Sequence, residues 1–186
     1  IRNDDSSGEM WLLDTASGKA DRLVEKGGSY FHWSPDGASL GILMSQGNGV
    51  RLYDVATGEF REYEDSVEYL DHMVWSPDSK CWAFRRRVPA EGRRKHSRID
   101  VTDVASGKTR TVMEEVPAYG LSVPVWSPDG SLLVAGWLAP AAGGRASAKL
   151  LVHDLKTGKS REVARDVPVA NNTSGEVRVS WSGPGN

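Results

Sequence analysis

The sequence predicts an all-β chain assembled from repeated four-stranded antiparallel units, and three observations carry that prediction. A turn of the form Trp-Ser-Pro-Asp-Gly recurs, opening at Trp33, Trp75 and Trp126; Ser79 replaces the glycine of the second copy. Trp181 opens an altered fourth copy, in which Gly183 and Pro184 stand for proline and aspartate. A second turn, Asp-x-x-Ser/Thr-Gly, begins at Asp14, Asp54, Asp103 and Asp154. The tryptophans are 42, 51 and 55 residues apart and the aspartates 40, 49 and 51, so both signals repeat on one scale. Four strands in about 40 to 50 residues make the blade of a β-propeller. No segment keeps a 3.6-residue apolar period long enough for a helical solenoid.

Each element follows from its turn. The first strand of a unit ends in Trp33, Trp75 or Trp126. Proline then presets φ for the turn, Asp bonds nearby backbone N–H groups, and Gly accepts positive φ. The second strand is expected over residues 40–44, 81–84 and 132–137. The third, at 10–13, 50–53, 99–102 and 150–153, leads into the Asp-x-x-Ser/Thr-Gly turn. The fourth returns at 20–24, 59–63, 109–113 and 160–164, which closes a hairpin. The seven repeated aspartates, Asp14, Asp36, Asp54, Asp78, Asp103, Asp129 and Asp154, are expected to cap turns, because a residue present in every unit performs one local task in each. Trp33, Trp75, Trp126 and Trp181 are expected between blades, and Trp11, Trp82 and Trp137 in ordinary packing.

With these motifs in place, the chain resembles the repeat of TolB-type, WD40-like propellers over nearly its whole length. A similar repeat occurs in the propeller domains of prolyl-oligopeptidase-type peptidases. The resemblance implies a β-propeller domain spanning 1–186, with blades at about 30–65, 72–114 and 123–165. A partial blade at 1–29 would be completed by a first strand at 177–181, within 177–186. Four blade units are thus visible, and they form either a closed four-bladed ring or part of a six- to eight-bladed propeller. If the ring does not close within one chain, self-association is expected. The resemblance also favours an extracytoplasmic location.

The 186 residues carry a formal net charge of −2, which gives no general attraction to nucleic acid or anionic membranes. No apolar run approaches the roughly 18 residues of a membrane-spanning helix. Cys81 is the sole cysteine, so no internal disulfide forms, and its apolar strand suggests a small buried hydrophobe. No nucleophile elbow, P-loop or dinucleotide fingerprint is expected, and no cofactor is implied.

Function is therefore sought in the variable loops, where binding on a rigid scaffold usually resides. Long loops are expected at 85–98 and 138–148, and blade connections at 26–29, 64–71, 114–122 and 165–176. The segment 85–98 carries Arg85, Arg86, Arg87, Arg93, Arg94, Lys95 and Arg98 against a single acid, Glu91. One reading is a partner-binding anion patch; the plainer one is a solvated tip, partly neutralised by Glu62, Glu64, Asp65, Glu68 and Asp71. Nucleic acid is disfavoured, because no aromatics interleave the basic run. His32 and His72 precede their tryptophans by one and three residues and are channel candidates. Oligogalacturonate-lyase-like propellers resemble this repeat and use channel histidines and a metal, but two histidines fall short of a metal site. The leading expectation is a non-catalytic scaffold for a protein or peptide. The alternatives are an accessory propeller of a larger peptidase-type enzyme and a polysaccharide-active propeller with a channel metal.

Overall fold

The computed structural model describes residues 8–44, 49–63, 70–88, 96–117, 121–140, 146–168 and 179–181. Every regular element among them is a strand. The chain divides into two compact units, Ile1–Leu70 and Asp71–Asn186.

The first unit holds one five-stranded sheet in sequence order: β1 (Gly8–Leu13), β2 (Ala20–Trp33), β3 (Ser39–Met44), β4 (Val50–Asp54) and β5 (Phe60–Tyr63). The second holds two four-stranded sheets, also in sequence order. One is β6 (Leu70–Trp75), β7 (Cys81–Val88), β8 (His96–Asp103) and β9 (Thr109–Pro117). The other is β10 (Val125–Trp126), β11 (Leu132–Pro140), β12 (Ala146–Asp154) and β13 (Lys159–Pro168). The expected all-β architecture of four-stranded meanders is present, with strands ending at Trp33, Trp75 and Trp126.

The fifth strand of the first sheet has a local cause. Residues 25–29 contain no Pro or Asp to turn the chain, so the strand expected at 20–24 runs on as β2 through Trp33. Gly28 pairs with both Gly8 and Met44, and register shifts flank it on both sides. Gly27 takes φ 92°, the left-handed conformation of a bulge glycine. β2 bends there, and Met10 and Val24 pack with Leu40, Ile42 and Tyr53 in a small core.

The turns form as their residues dictate. In the Trp-Ser-Pro-Asp turns the hydroxyls of Ser34, Ser76 and Ser127 each donate to the Asp two residues on, at 2.6 Å. Each of those hydroxyls also accepts the N–H five residues on, at 2.9 Å. In the Asp-x-x-Ser/Thr-Gly turns the carboxylates of Asp14, Asp54, Asp103 and Asp154 accept the N–H of Ser17, Thr57, Ser106 and Thr157. The two turns of a blade lie side by side: Val55, Val104 and Leu155 donate their N–H to the carbonyls of Ala38, Lys80 and Ser131.

In the segments expected as long loops, the described residues continue the ladders, and 89–95 and 141–145 lie outside the described residues. β7 and β8 pair Arg85 with Ile99, Arg86 with Arg98, Arg87 with Ser97 and Val88 with His96. β11 and β12 pair Leu138 with Ala148, Ala139 with Ser147 and Pro140 with Ala146. Charged or small side chains suit a ladder whenever the opposite face is satisfied, which composition does not reveal. Strands β9 and β13 likewise run past residues 113 and 164 into the expected connections. Residues 179–181 form no strand, and 177–178 lie outside the described residues.

The second unit's core lies between its two sheets. Ala83, Ile99, Val101, Val112 and Met113 meet Leu121, Trp126, Leu133 and Ala135, all buried. Trp126 Nε1 donates to the Val74 carbonyl at 3.1 Å and so pins one blade to the last residues of the inner strand of the blade before it.

Candidate functional site

The basic hairpin β7–β8 is built on period-two alternation. Phe84, Arg86, Arg98 and Asp100 share one face of the ladder, with Thr111 of β9 opposite Asp100. Asp100 is completely buried. Arg86 Nε lies 2.5 Å from its Oδ2, and Arg98 Nε lies 3.1 Å from Oδ1. Thr111 Oγ1 donates to Oδ1 at 2.9 Å. The Arg86 guanidinium also sits 5.3 Å from the centroid of the Phe84 ring. This is a buried carboxylate satisfied from three sides, and it occupies two of the seven basic candidates.

Arg85, on the opposite face, donates from Nη1 to the Leu121 carbonyl and so ties the hairpin to the connection ahead of β10. Arg87 lies in β7, and Arg93, Arg94 and Lys95 lie outside the described residues. Of the acids expected to neutralise the tip, one is paired within the first sheet among the described residues. Glu62 pairs with Arg51 at 2.6 Å, and Glu64, Asp65 and Glu68 lie outside the described residues. Among the described residues, Asp100 of the hairpin's own strand is the acid that pairs with two of its arginines. Sequence reasoning missed it. The available signal was an acid two positions after Arg98 in a strand, facing the same side.

His32 is half-buried in the first unit, and His72 belongs to β6, with its side chain outside the described residues. No group of three His, Cys, Asp or Glu able to hold a metal occurs among the described residues. His153 is buried, with Nδ1 2.9 Å from Ser160 Oγ and no partner at Nε2 among the described residues. Burial, and then the nearby Arg110 charge, push its pKa below the ordinary 6.5.

Residues Gly37-Ala38-Ser39-Leu40-Gly41 do spell Gly-x-Ser-x-Gly. A nucleophile elbow needs a strand-to-helix turn. Ser39 instead opens β3 directly after a hairpin turn, and its N–H bonds Ser34 Oγ. Its geometry is that of a turn residue. The repeated aspartates behave as turn caps as well. The Ser127 hydroxyl and the Ser131 N–H hold the Asp129 carboxyl down to about 2.

No protein-family model matches the chain. The uncharacterized peptidase YuxL of Bacillus subtilis is 27% identical over 111 residues, covering 55% of this chain and 16% of that protein. The acylaminoacyl peptidase of Pyrococcus horikoshii superposes with a TM-score of 0.71 at 12% identity, over 87% of this chain and 28% of that one. TolB from Acinetobacter baumannii superposes with a TM-score of 0.55 at 16% identity, over 89% of this chain and 40% of that one. This chain thus spans well under half the length of each. Its sheets have the β-propeller fold that these structures share.

Proposed function

We propose that this chain is an accessory propeller segment of a larger peptidase-type enzyme. The observation that carries the reading is the sequence match to a peptidase of which the chain covers only 16%. A propeller supplies no nucleophile in this arrangement. Its contribution is a rigid surface beside a catalytic domain, admitting or holding peptide substrates. The test is the parent open reading frame beyond Asn186, followed by an assay of its full product on chromogenic peptide amides. A downstream hydrolase domain is expected, with turnover lost on replacing its serine and absent from residues 1–186 alone. A parent frame with no hydrolase domain, or a full product inert towards peptides, overturns the reading.

The scaffold reading, a non-catalytic propeller that binds a protein or peptide, is favoured by the likeness to TolB structures. Under either reading we propose Arg87, Arg93, Arg94 and Lys95 as the partner-binding charges; Arg86 and Arg98 pair with Asp100 and Arg85 donates to the Leu121 carbonyl, while the Arg87 side chain and residues 93–95 lie outside the described residues. Retention of an acidic peptide that weakens with salt, and weakens again in an Arg93→Ala/Arg94→Ala variant, is the expected result. Salt-independent retention sinks this use of the hairpin.

A further inference from the structure

The first sheet carries an aromatic surface that the described chain leaves uncovered. Trp33, Leu40, Tyr53 and Phe60 are cross-strand partners in one row, and Phe31, Ile42 and Arg51 form the next row on the same face. Leu40 and Ile42 are buried beneath Met10 and Val24 of the β1–β2 hairpin. Phe31, Trp33 and Phe60 remain 58%, 45% and 40% exposed.

The second unit shows what such a face receives. Trp126 is only 9% exposed and donates Nε1 to the Val74 carbonyl. Trp181 is half-buried and donates Nε1 to the Val125 carbonyl at 3.3 Å. In both cases the acceptor is the residue just before the Trp of the preceding blade. Trp33 holds the same place in its motif, yet it is 45% exposed.

We infer that this face seats the two inner strands of a further blade, whose outer hairpin is β1 with the first half of β2. The hairpin already has the position of an outer strand pair, since it covers Leu40 and Ile42 and leaves Phe31 and Trp33 bare. In each later blade the inner strands directly precede the outer hairpin: β6 and β7 come before β8 and β9, β10 and β11 before β12 and β13. A blade's Trp lies 21 or 28 residues ahead of the Asp of its hairpin. Counted back from Asp14, that position falls ahead of Ile1. The occupant is therefore the stretch of the parent polypeptide immediately N-terminal to Ile1, folded as strand, Trp-Ser-Pro-Asp turn and strand. Its carbonyl before the Trp accepts the Trp33 N–H, and its apolar side chains cover Phe31.

This surface rests on the chain being part of a longer propeller protein, and it is independent of any peptidase activity. Failure of the hydrolase assay therefore leaves it standing. The test compares residues 1–186 with a version extended through the native upstream sequence, using hydroxyl-radical footprinting with Trp137 of the second unit as internal reference. Several-fold lower modification of Trp33 and Phe31 in the extended protein is the expected result. Trp33→Ala should then lower the melting temperature of the extended protein and leave that of 1–186 nearly unchanged. Equal labelling in both proteins overturns the inference, as does an upstream sequence lacking a further Trp-turn copy. Protection in 1–186 that appears only with dimer formation, or is lost on deleting residues 177–186, assigns the face to another occupant and also overturns it.

Discussion

Replacing Asp100 with alanine leaves the largely buried Arg86 without its counter-charge. Removing one member of a buried pair costs about 3–5 kcal/mol, and a urea unfolding series on Asp100→Ala should show a loss of that size. Arg98→Ala should cost less, because its side chain is 32% exposed and Arg86 still holds the carboxylate. At Ser79 the sign reverses. Ser79 is the lone non-glycine residue with positive φ among the described residues, at 60°, where the other turn copies have glycine. The left-handed conformation costs an ordinary residue roughly 1–2 kcal/mol, partly offset by the extra unfolded-state freedom of glycine. Ser79→Gly should therefore raise the unfolding free energy by about 0.5–1 kcal/mol. His153 gives a pH signature. Its folded pKa lies below the ordinary 6.5, so the unfolded chain binds the proton first as pH falls. Stability is fully present above 6.5 and declines from there downward. The groups facing His153 are Arg110, Asp154 and Ser160. The difference in urea midpoint between wild type and His153→Asn should shrink as pH drops from 7 towards the folded pKa; a constant difference refutes this.

At the scale of elements, turns and strands carry different kinds of information. A turn is chemically local: Ser, Pro, Asp and Gly satisfy their own backbone, so each turn was legible from five residues. The same local bonds lower the carboxyl pKa of Asp14, Asp54, Asp78, Asp103, Asp129 and Asp154 below the ordinary 3.8. Their contribution is present above 3.8 and disappears as pH falls through the folded values. Acid unfolding monitored by tryptophan fluorescence should consequently set in below pH 3.8 and shift upward in an Asp103→Asn/Asp129→Asn variant. Strand length was less legible. Arg85 to Val88 read as a loop by composition, yet it continues β7, because Asp100 and Thr111 on neighbouring strands give its charge a partner. No window of sequence around residue 86 contains that information. The bond from Trp126 to Val74 is another long-range product. Trp126→Phe keeps most of the packing and orphans the carbonyl, so a loss of about 1–2 kcal/mol is expected, while Trp33→Phe in the same chain should cost almost nothing.

For the molecule as a whole, the repeat fixed the architecture and left the chemistry open. Two signals at 40- to 55-residue intervals required meandering four-stranded sheets whatever their ligand, because each turn admits only a hairpin and each sheet needs a neighbour to bury its face. That much the amino-acid order determined unaided: strand content, the turn positions, the capping role of the aspartates and the packing role of Trp126. The candidate site was legible only as a cluster of charge. Which of those arginines are spent on Asp100, that Gly37 to Gly41 is a turn and not a nucleophile elbow, and that Phe31 and Trp33 stand bare depended on which strands lie side by side. Cross-strand neighbours are distant in sequence, and a side chain's solvent exposure is set by the sheet packed over it, so only the folded arrangement could decide them.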